Sequence, residues 1–115
     1  MGSQPLNETF SVEDGFLVRR VVPARGEPYQ HRCPQAAFEA VAQAADAPGA
    51  AGITLESLQA ATGLPGTQVA VALAFLKERG CVVPVFGRRH RAASTFVYED
   101  AMTEYHALRE KPAQA

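Results

Sequence analysis

The chain has 115 residues, of which 47% are hydrophobic and 20% are charged, and its formal net charge is −1. This composition is typical of one soluble globular domain and argues against a disordered or membrane-spanning chain. The near-neutral charge excludes a globally basic nucleic-acid-binding protein, so any contact with nucleic acid must come from a local cluster of cations.

The N-terminal sequence MGSQPLNETF has neither a basic start nor an apolar segment, and no stretch is apolar over the length that crosses a bilayer. We therefore expect a cytoplasmic protein that makes no contact with membranes. The two cysteines, Cys33 and Cys81, are expected to be free thiols, because isolated cysteines are commoner in reduced, cytosolic chains.

The N-terminal part is predicted to form a β-hairpin after a loose tail at residues 1–8. The run at residues 9–22 is β-prone on both sides of Glu13-Asp14-Gly15, and Asp-Gly is a favoured hairpin turn. The next segment, PARGEPYQHRCP, contains several proline and glycine breakers. It is predicted to be a connector on the surface.

Two helices are predicted next. The first has Pro34 in its first turn and runs to about Ala45, and the break APGAAG separates it from a second helix that begins after Thr54, a good N-cap. Gly63 ends the second helix in a left-handed conformation. The residues predicted to face the core are Phe38, Val41, Ala42 and Ala45 in the first helix, and Leu55, Leu58 and Ala61 in the second.

A third helix is predicted from Thr67, after the tight turn Leu64-Pro65-Gly66, to a cap at Gly80. A period of 3.6 residues places four of its apolar side chains on one face, towards the core. These are Val69, Ala72, Leu73 and Leu76.

The C-terminal part is predicted to contain a hairpin and a helix. Two β-prone runs, residues 81–86 and 93–98, flank the basic sequence GRRHRA, and Pro84 favours an edge position or a bulge in the first run. The last helix is predicted from Glu99 to Glu110, followed by a frayed PAQA. Its apolar stripe consists of Ala101, Met102, Tyr105 and Leu108.

The segment ITLESLQAATGLPGTQVAVALAFLKERGCVV resembles the helix-turn-helix of bacterial winged-helix transcription regulators. In that family the recognition helix follows the pattern Thr/Ser-X-Val-X-X-X-Leu-X-X-Leu-X-X-X-Gly. The matching residues here are Thr67, Val69, Leu73, Leu76 and Gly80.

The resemblance covers about residues 34–98 and implies an α+β fold, a winged helix-turn-helix with a three-helix core and a β-hairpin wing. We expect an N-terminal tail and β-strand extension at residues 1–30, the winged helix-turn-helix domain at residues 31–98, and a C-terminal helix and tail at residues 99–115.

The resemblance also implies a transcription-regulator-like protein that binds double-stranded DNA as a homodimer. The residues expected to contact DNA are Thr67, Gln68 and Lys77 in the third helix, and Arg88, Arg89, His90 and Arg91 in the wing. The alternative for the arginines, which has equal weight, is that they serve solubility alone, as is common at a polar hairpin tip.

The third helix is apolar almost all round, because Val71 and Phe75 lie opposite Val69, where the family usually has polar residues that contact DNA. Such a helix is covered either by the N-terminal hairpin or by a partner chain. The second hypothesis is therefore a winged-helix protein-interaction module that does not read DNA, with Val71 and Phe75 at its interface.

The apolar stripe of the last helix is expected to pack on the first helix and also to contribute to a dimer. Packing within its own chain alone is the alternative. The residues concerned are Met102, Tyr105 and Leu108.

Nothing in the sequence indicates an enzyme, because it contains no Gly-rich phosphate loop, no nucleophile motif and no paired carboxylates flanking a cleft. His31, Cys33, Cys81 and His90 lack the spacing of a paired-ligand metal motif. We expect neither a metal nor another cofactor.

Overall fold

The computed structural model describes residues 7–46 and 52–111. These ranges form a compact α+β fold with four helices and two antiparallel sheets. The elements in chain order are β1 (Asn7–Glu13), β2 (Phe16–Val22), β3 (Tyr29–Pro34), α1 (Gln35–Ala45), α2 (Leu55–Thr62), α3 (Gly66–Glu78), β4 (Val82–Pro84), β5 (His90–Ala92) and α4 (Val97–Glu110).

Three sequence predictions fall wholly or partly outside the described ranges. They are the loose tail, of which residues 1–6 are not described, the break APGAAG, of which residues 47–51 are not described, and the frayed end at residues 112–115. Among the helices of the described ranges, none combines the length and the apolar character needed to cross a bilayer.

The first sheet is an antiparallel meander in the order β1-β2-β3. Asp14 and Gly15 join β1 to β2 with φ angles of 54° and 82°, the backbone that a two-residue type I′ turn requires. The predicted hairpin is therefore confirmed. β1 begins at Asn7, so the prediction of a tail through residue 8 is wrong for its last two residues.

The connector predicted at residues 23–34 is wrong for its second half, because Tyr29–Pro34 pairs along β2 as β3. Cys33 is the one fully buried residue of this strand, so the sequence shows no alternation of apolar residues. Pro34 lies at the end of the strand, where the loss of its N–H is tolerated. Backbone pairing and the burial of one thiol therefore hold β3 in place.

The three central helices begin at the predicted residues to within one position. Thr54 Oγ1 accepts a hydrogen bond from the Ser57 N–H at 3.0 Å, and Ser57 Oγ accepts one from the Thr54 N–H at 2.9 Å. This reciprocal pair is a capping box, which fixes the start of α2. Gly63 ends α2 with a φ of 72°, as predicted.

The core lies between the helices and the inner face of the first sheet. The residues predicted to face it are buried in α1, α3 and α4, whereas in α2 Ala61 is exposed and Leu55 is half-buried. Phe38 of α1 contacts Phe75 of α3 and Tyr105 of α4, with centroid distances of 5.6 Å and 5.4 Å. One ring thus joins three helices.

The second sheet is shorter than predicted, since β5 is His90–Ala92 and not residues 93–98. The end of that β-prone run belongs to α4, which begins at Val97. The side chain of Val97 is fully buried, and its backbone N–H donates a hydrogen bond to Asp46 Oδ1 at 3.2 Å. Pro84 lies on β4, which is an edge strand as predicted.

Candidate nucleic-acid interface

The candidate site is the hairpin of residues 82–92, called the wing below. Its tip is closed by two hydrogen bonds of 3.0 Å, from the Arg89 N–H to the Phe86 carbonyl and from the Val85 N–H to the Arg89 carbonyl. Gly87 stands at the first central position of the turn with a φ of 60°, as a type II′ turn requires. The tip is therefore a tight, hydrogen-bonded turn.

The inner face of the wing is directed at the protein core. Val82 and His90 are 1% and 7% exposed. The backbone of His90 also pairs with Ile53, through hydrogen bonds of 2.7 Å and 2.8 Å. The expectation that His90 contacts DNA is thus corrected, because the bridge to Ile53 turns the imidazole inward. Its Nδ1 has no hydrogen-bond partner within the described residues.

The outer face carries the basic residues. Side chains alternate along a strand, so the pair Val83 and Arg91 faces away from the core, and the pair Val85 and Arg89 continues this face towards the tip. Arg88 occupies the turn. All three arginines are exposed, and none forms a salt bridge to a carboxylate of residues 7–46 or 52–111.

The side chain of Arg89 lies against Gly52, the residue before the bridge. A Cβ atom on Gly52 would meet Cδ, Cγ and Cβ of Arg89 at 3.0, 3.2 and 3.3 Å. The missing side chain of Gly52 therefore leaves the space along which the stem of Arg89 runs.

Two apolar side chains at the tip were not among the sites expected from the sequence. Phe86 is 79% exposed and Val85 is 58% exposed, although both belong to a run predicted as a strand. The signal in the sequence was the Gly87 that follows them, which places a turn one residue after the phenylalanine. The tip thus combines an exposed ring with adjacent guanidinium groups.

The exposed surface of α3 offers little for base recognition. Thr67 and Lys77 are exposed and Gln68 is half-buried. The half-exposed residues between them, Ala70 and Ala74, carry no hydrogen-bonding side chain. The polar groups expected at DNA therefore lie near the two ends of the helix, where they do not form a continuous reading surface.

Val71 and Phe75 are both 0% exposed and belong to the core of this chain. The first sheet covers this side of α3, and Phe10 on β1 packs edge-on against Phe75 with 5.3 Å between the centroids. Of the two covers considered for α3, the N-terminal strands are the one present. The expectation that Val71 and Phe75 meet a partner chain is corrected accordingly.

The apolar stripe of α4 is also buried within the chain. Met102, Tyr105 and Leu108 are 9%, 0% and 8% exposed. Tyr105 stacks on Phe38 with an interplanar angle of 22°, so α4 packs on α1. These three side chains leave almost no apolar surface for the dimer interface that was expected on α4 beside its packing on α1.

Arg79, close to the wing in sequence, does not add a free cation. It forms salt bridges to Glu78 at 2.6 Å and Glu104 at 3.2 Å, and its guanidinium carbon lies 5.0 Å from the centre of the Phe75 ring. The arginine thus joins the end of α3 to α4. Its charge is balanced by two carboxylates.

A shallow cleft beside Arg79 is lined in part by Cys81. The thiol of Cys81 is a candidate nucleophile. Cys81 is 4% exposed, and burial, with a contribution from Asp100 and Glu104, raises its pKa to about 11. The group is therefore a thiol and not a thiolate near neutral pH.

Comparison with known proteins gives no match to a family model, a curated protein or a solved structure. The geometry and charge of the wing are therefore the features that bear on function. Those features are its exposed arginines, its exposed phenylalanine and the closed turn that carries them.

Proposed function

We propose that this chain is a winged-helix protein that binds double-stranded DNA through the tip and outer face of its wing, and not through α3. The order of elements supports the winged-helix part of the proposal. Ile53, between α1 and α2, pairs with β5, so the hairpin that follows α3 is joined by a third short extended segment. This single bridge places the segment before α2 beside the wing, which supports the three-helix core with an attached hairpin that the resemblance implies.

The observation that carries the proposal is the set of three exposed guanidinium groups on the turn and the outer face of the wing. Arginine binds phosphate oxygens through several N–H groups and also enters narrow minor grooves. Because the formal net charge is −1, these groups form a local basic site on a nearly neutral protein. The residues are Arg88, Arg89 and Arg91.

Reading of the major groove by α3 is not part of this proposal. The first sheet covers Val71 and Phe75, and the two half-exposed alanines between Thr67 and Lys77 offer only apolar contacts. Thr67, Gln68 and Lys77 are therefore not proposed to contact DNA. We therefore expect binding that depends weakly on DNA sequence, because phosphate contacts carry no sequence information directly.

The test replaces Arg88, Arg89 and Arg91 by alanine and measures fluorescence anisotropy of a short duplex at several salt concentrations. The control replaces Arg25, Arg32 and Lys111, three exposed cations outside the wing, so that both variants lose the same charge. For three phosphate contacts, log Kobs of the wild type should fall with log salt by a slope of about −2.7. The wing variant should lose most of this slope and the control should keep it.

Two results would contradict DNA binding by the wing. One is the absence of detectable binding by the wild type at low salt. The other is an equal loss in the wing variant and in its charge-matched control, since a general effect of net charge would then explain the binding.

A second candidate function is protein assembly without DNA. The assembly surface would be the wing tip and the start of α4, and not α3. The observation that favours it is the exposure of two phenylalanines, Phe86 at 79% and Phe96 at 62%. Sedimentation of wild type and of a Phe86→Ser/Phe96→Ser double variant over a range of concentrations tests it. Assembly requires a mass that rises with concentration for the wild type only, and a monomer throughout would count against a homodimer.

A further inference from the structure

We propose that Phe86 is a wedge that enters the minor groove beside the wing arginines and partly unstacks one base step. The wing would then bend the duplex as well as bind it. This inference rests on the proposed binding of double-stranded DNA. It assigns the exposed ring a role that phosphate contacts alone do not require.

Phe86 is exposed at the tip of the wing. A phenyl ring gains about 1.5–3 kcal/mol when it leaves water, yet this one is 79% exposed. It stands at the first position of the II′ turn, and its carbonyl is held by the Arg89 N–H. The backbone thus fixes the ring at the tip, where folding does not use it.

The charges around the ring select the partner. Arg88 and Arg89 lie two and three residues further along the same turn, and neither is neutralised by a carboxylate of the described ranges. Minor-groove proteins that kink DNA combine arginine with an inserted apolar side chain such as phenylalanine. A ligand with phosphates on both sides of an apolar stack fits this arrangement.

A narrow turn with one aromatic ring fits other anionic ligands less well. Single-stranded nucleic acid is usually bound by several aromatic side chains on which successive bases stack. An anionic lipid surface is usually bound by a broad apolar face with many cations. The wing offers one ring and a few cations on a hairpin of 11 residues, from Val82 to Ala92.

Phe96 provides a matched control. It is 62% exposed, but it directly precedes α4, whose first turn contains Glu99 and Asp100. These carboxylates would repel DNA phosphates, so the ring of Phe96 is not expected to meet the duplex. The two phenylalanines therefore separate insertion from general hydrophobicity.

The experiment uses a duplex with 2-aminopurine at a central flexible step and a pair of dyes at its ends. Wild type should raise the 2-aminopurine emission and shorten the distance between the dyes, because insertion unstacks the base and bends the helix. Phe86→Ala should lose both signals and bind about tenfold more weakly, with an unchanged salt slope. Phe86→Leu should retain part of both signals, and Phe96→Ala should match the wild type.

The outcomes separate this inference from the proposed function. If the wild type binds with the expected salt slope but leaves 2-aminopurine emission unchanged, the wedge is overturned and DNA binding stands. If the wild type does not bind the duplex, both are overturned. Tighter binding to single strands, or to vesicles of anionic lipid, would also overturn the wedge.

Discussion

The ring of Phe10 on β1 packs edge-on against the ring of Phe75 in α3, with 5.3 Å between the centroids. Phe75 is fully buried, although the resemblance seen in the sequence implies that this side of α3 is turned towards DNA. The first sheet is therefore part of the core. This contact explains why α3 can be apolar almost all round without an exposed apolar surface.

Phe10→Ala should destabilise the protein by about 2 kcal/mol, because it removes most of a half-buried ring from the core. Denaturant unfolding monitored by circular dichroism measures the change. Thr9→Ala is the control, since Thr9 is exposed on the neighbouring position of β1. Equal stabilities of the two variants would show that the sheet adds little to the packing of α3.

Val71→Asp and Phe75→Asp test the burial of α3 directly. Each places a carboxylate at a position with 0% exposure, so the variant should unfold, or lose at least about 4 kcal/mol of stability. Thr67→Asp is the control, because Thr67 is exposed in the first turn, where a negative charge favours the helix. A folded Phe75→Asp variant with an altered oligomeric state would instead support the hypothesis that Phe75 contacts a partner chain.

The helices could be predicted from the sequence because their signals are local. Thr54 and Ser57 cap the start of α2 and Gly63 caps its end, and the periodicity of apolar residues predicts the buried faces of three helices. β3 could not be predicted, since its pairing with β2 depends on backbone hydrogen bonds across a loop. The start of α4 depends on Asp46, 51 residues earlier in the chain.

The candidate site could be predicted in part. The exposure of Arg88, Arg89 and Arg91 agrees with the basic sequence of the tip. The burial of His90 could not be predicted, because it follows from the bridge to Ile53, a contact between distant segments. The exposure of Phe86 is indicated in the sequence only by the Gly87 that follows it, because a phenylalanine in a β-prone run is more often a core residue.

Asp46→Ala should cost about 1 kcal/mol, because the Asp46 carboxylate accepts the Val97 N–H at the start of α4, at 3.2 Å. Asp46→Asn retains an oxygen acceptor and should cost less. Both variants are compared by thermal unfolding. If asparagine is as harmful as alanine, the charge of Asp46, acting on the dipole of α4, is the main contribution and the hydrogen bond is minor.

The two buried thiols predict a loss of stability at alkaline pH. Burial raises the pKa of Cys33 to about 12 and that of Cys81 to about 11. A thiol in the unfolded chain has a pKa of about 8.5, so above about pH 9 the unfolded chain loses protons that the folded chain keeps. A rise in pH therefore favours unfolding. Each thiol contributes a slope of about −1.4 kcal/mol per pH unit to the free energy of unfolding, up to its folded pKa.

Unfolding of wild type and of Cys33→Ala/Cys81→Ala between about pH 8 and 10.5 measures the difference between the two slopes. The other titrating groups are common to both chains. Parallel curves would show that the thiols already ionise in the folded protein.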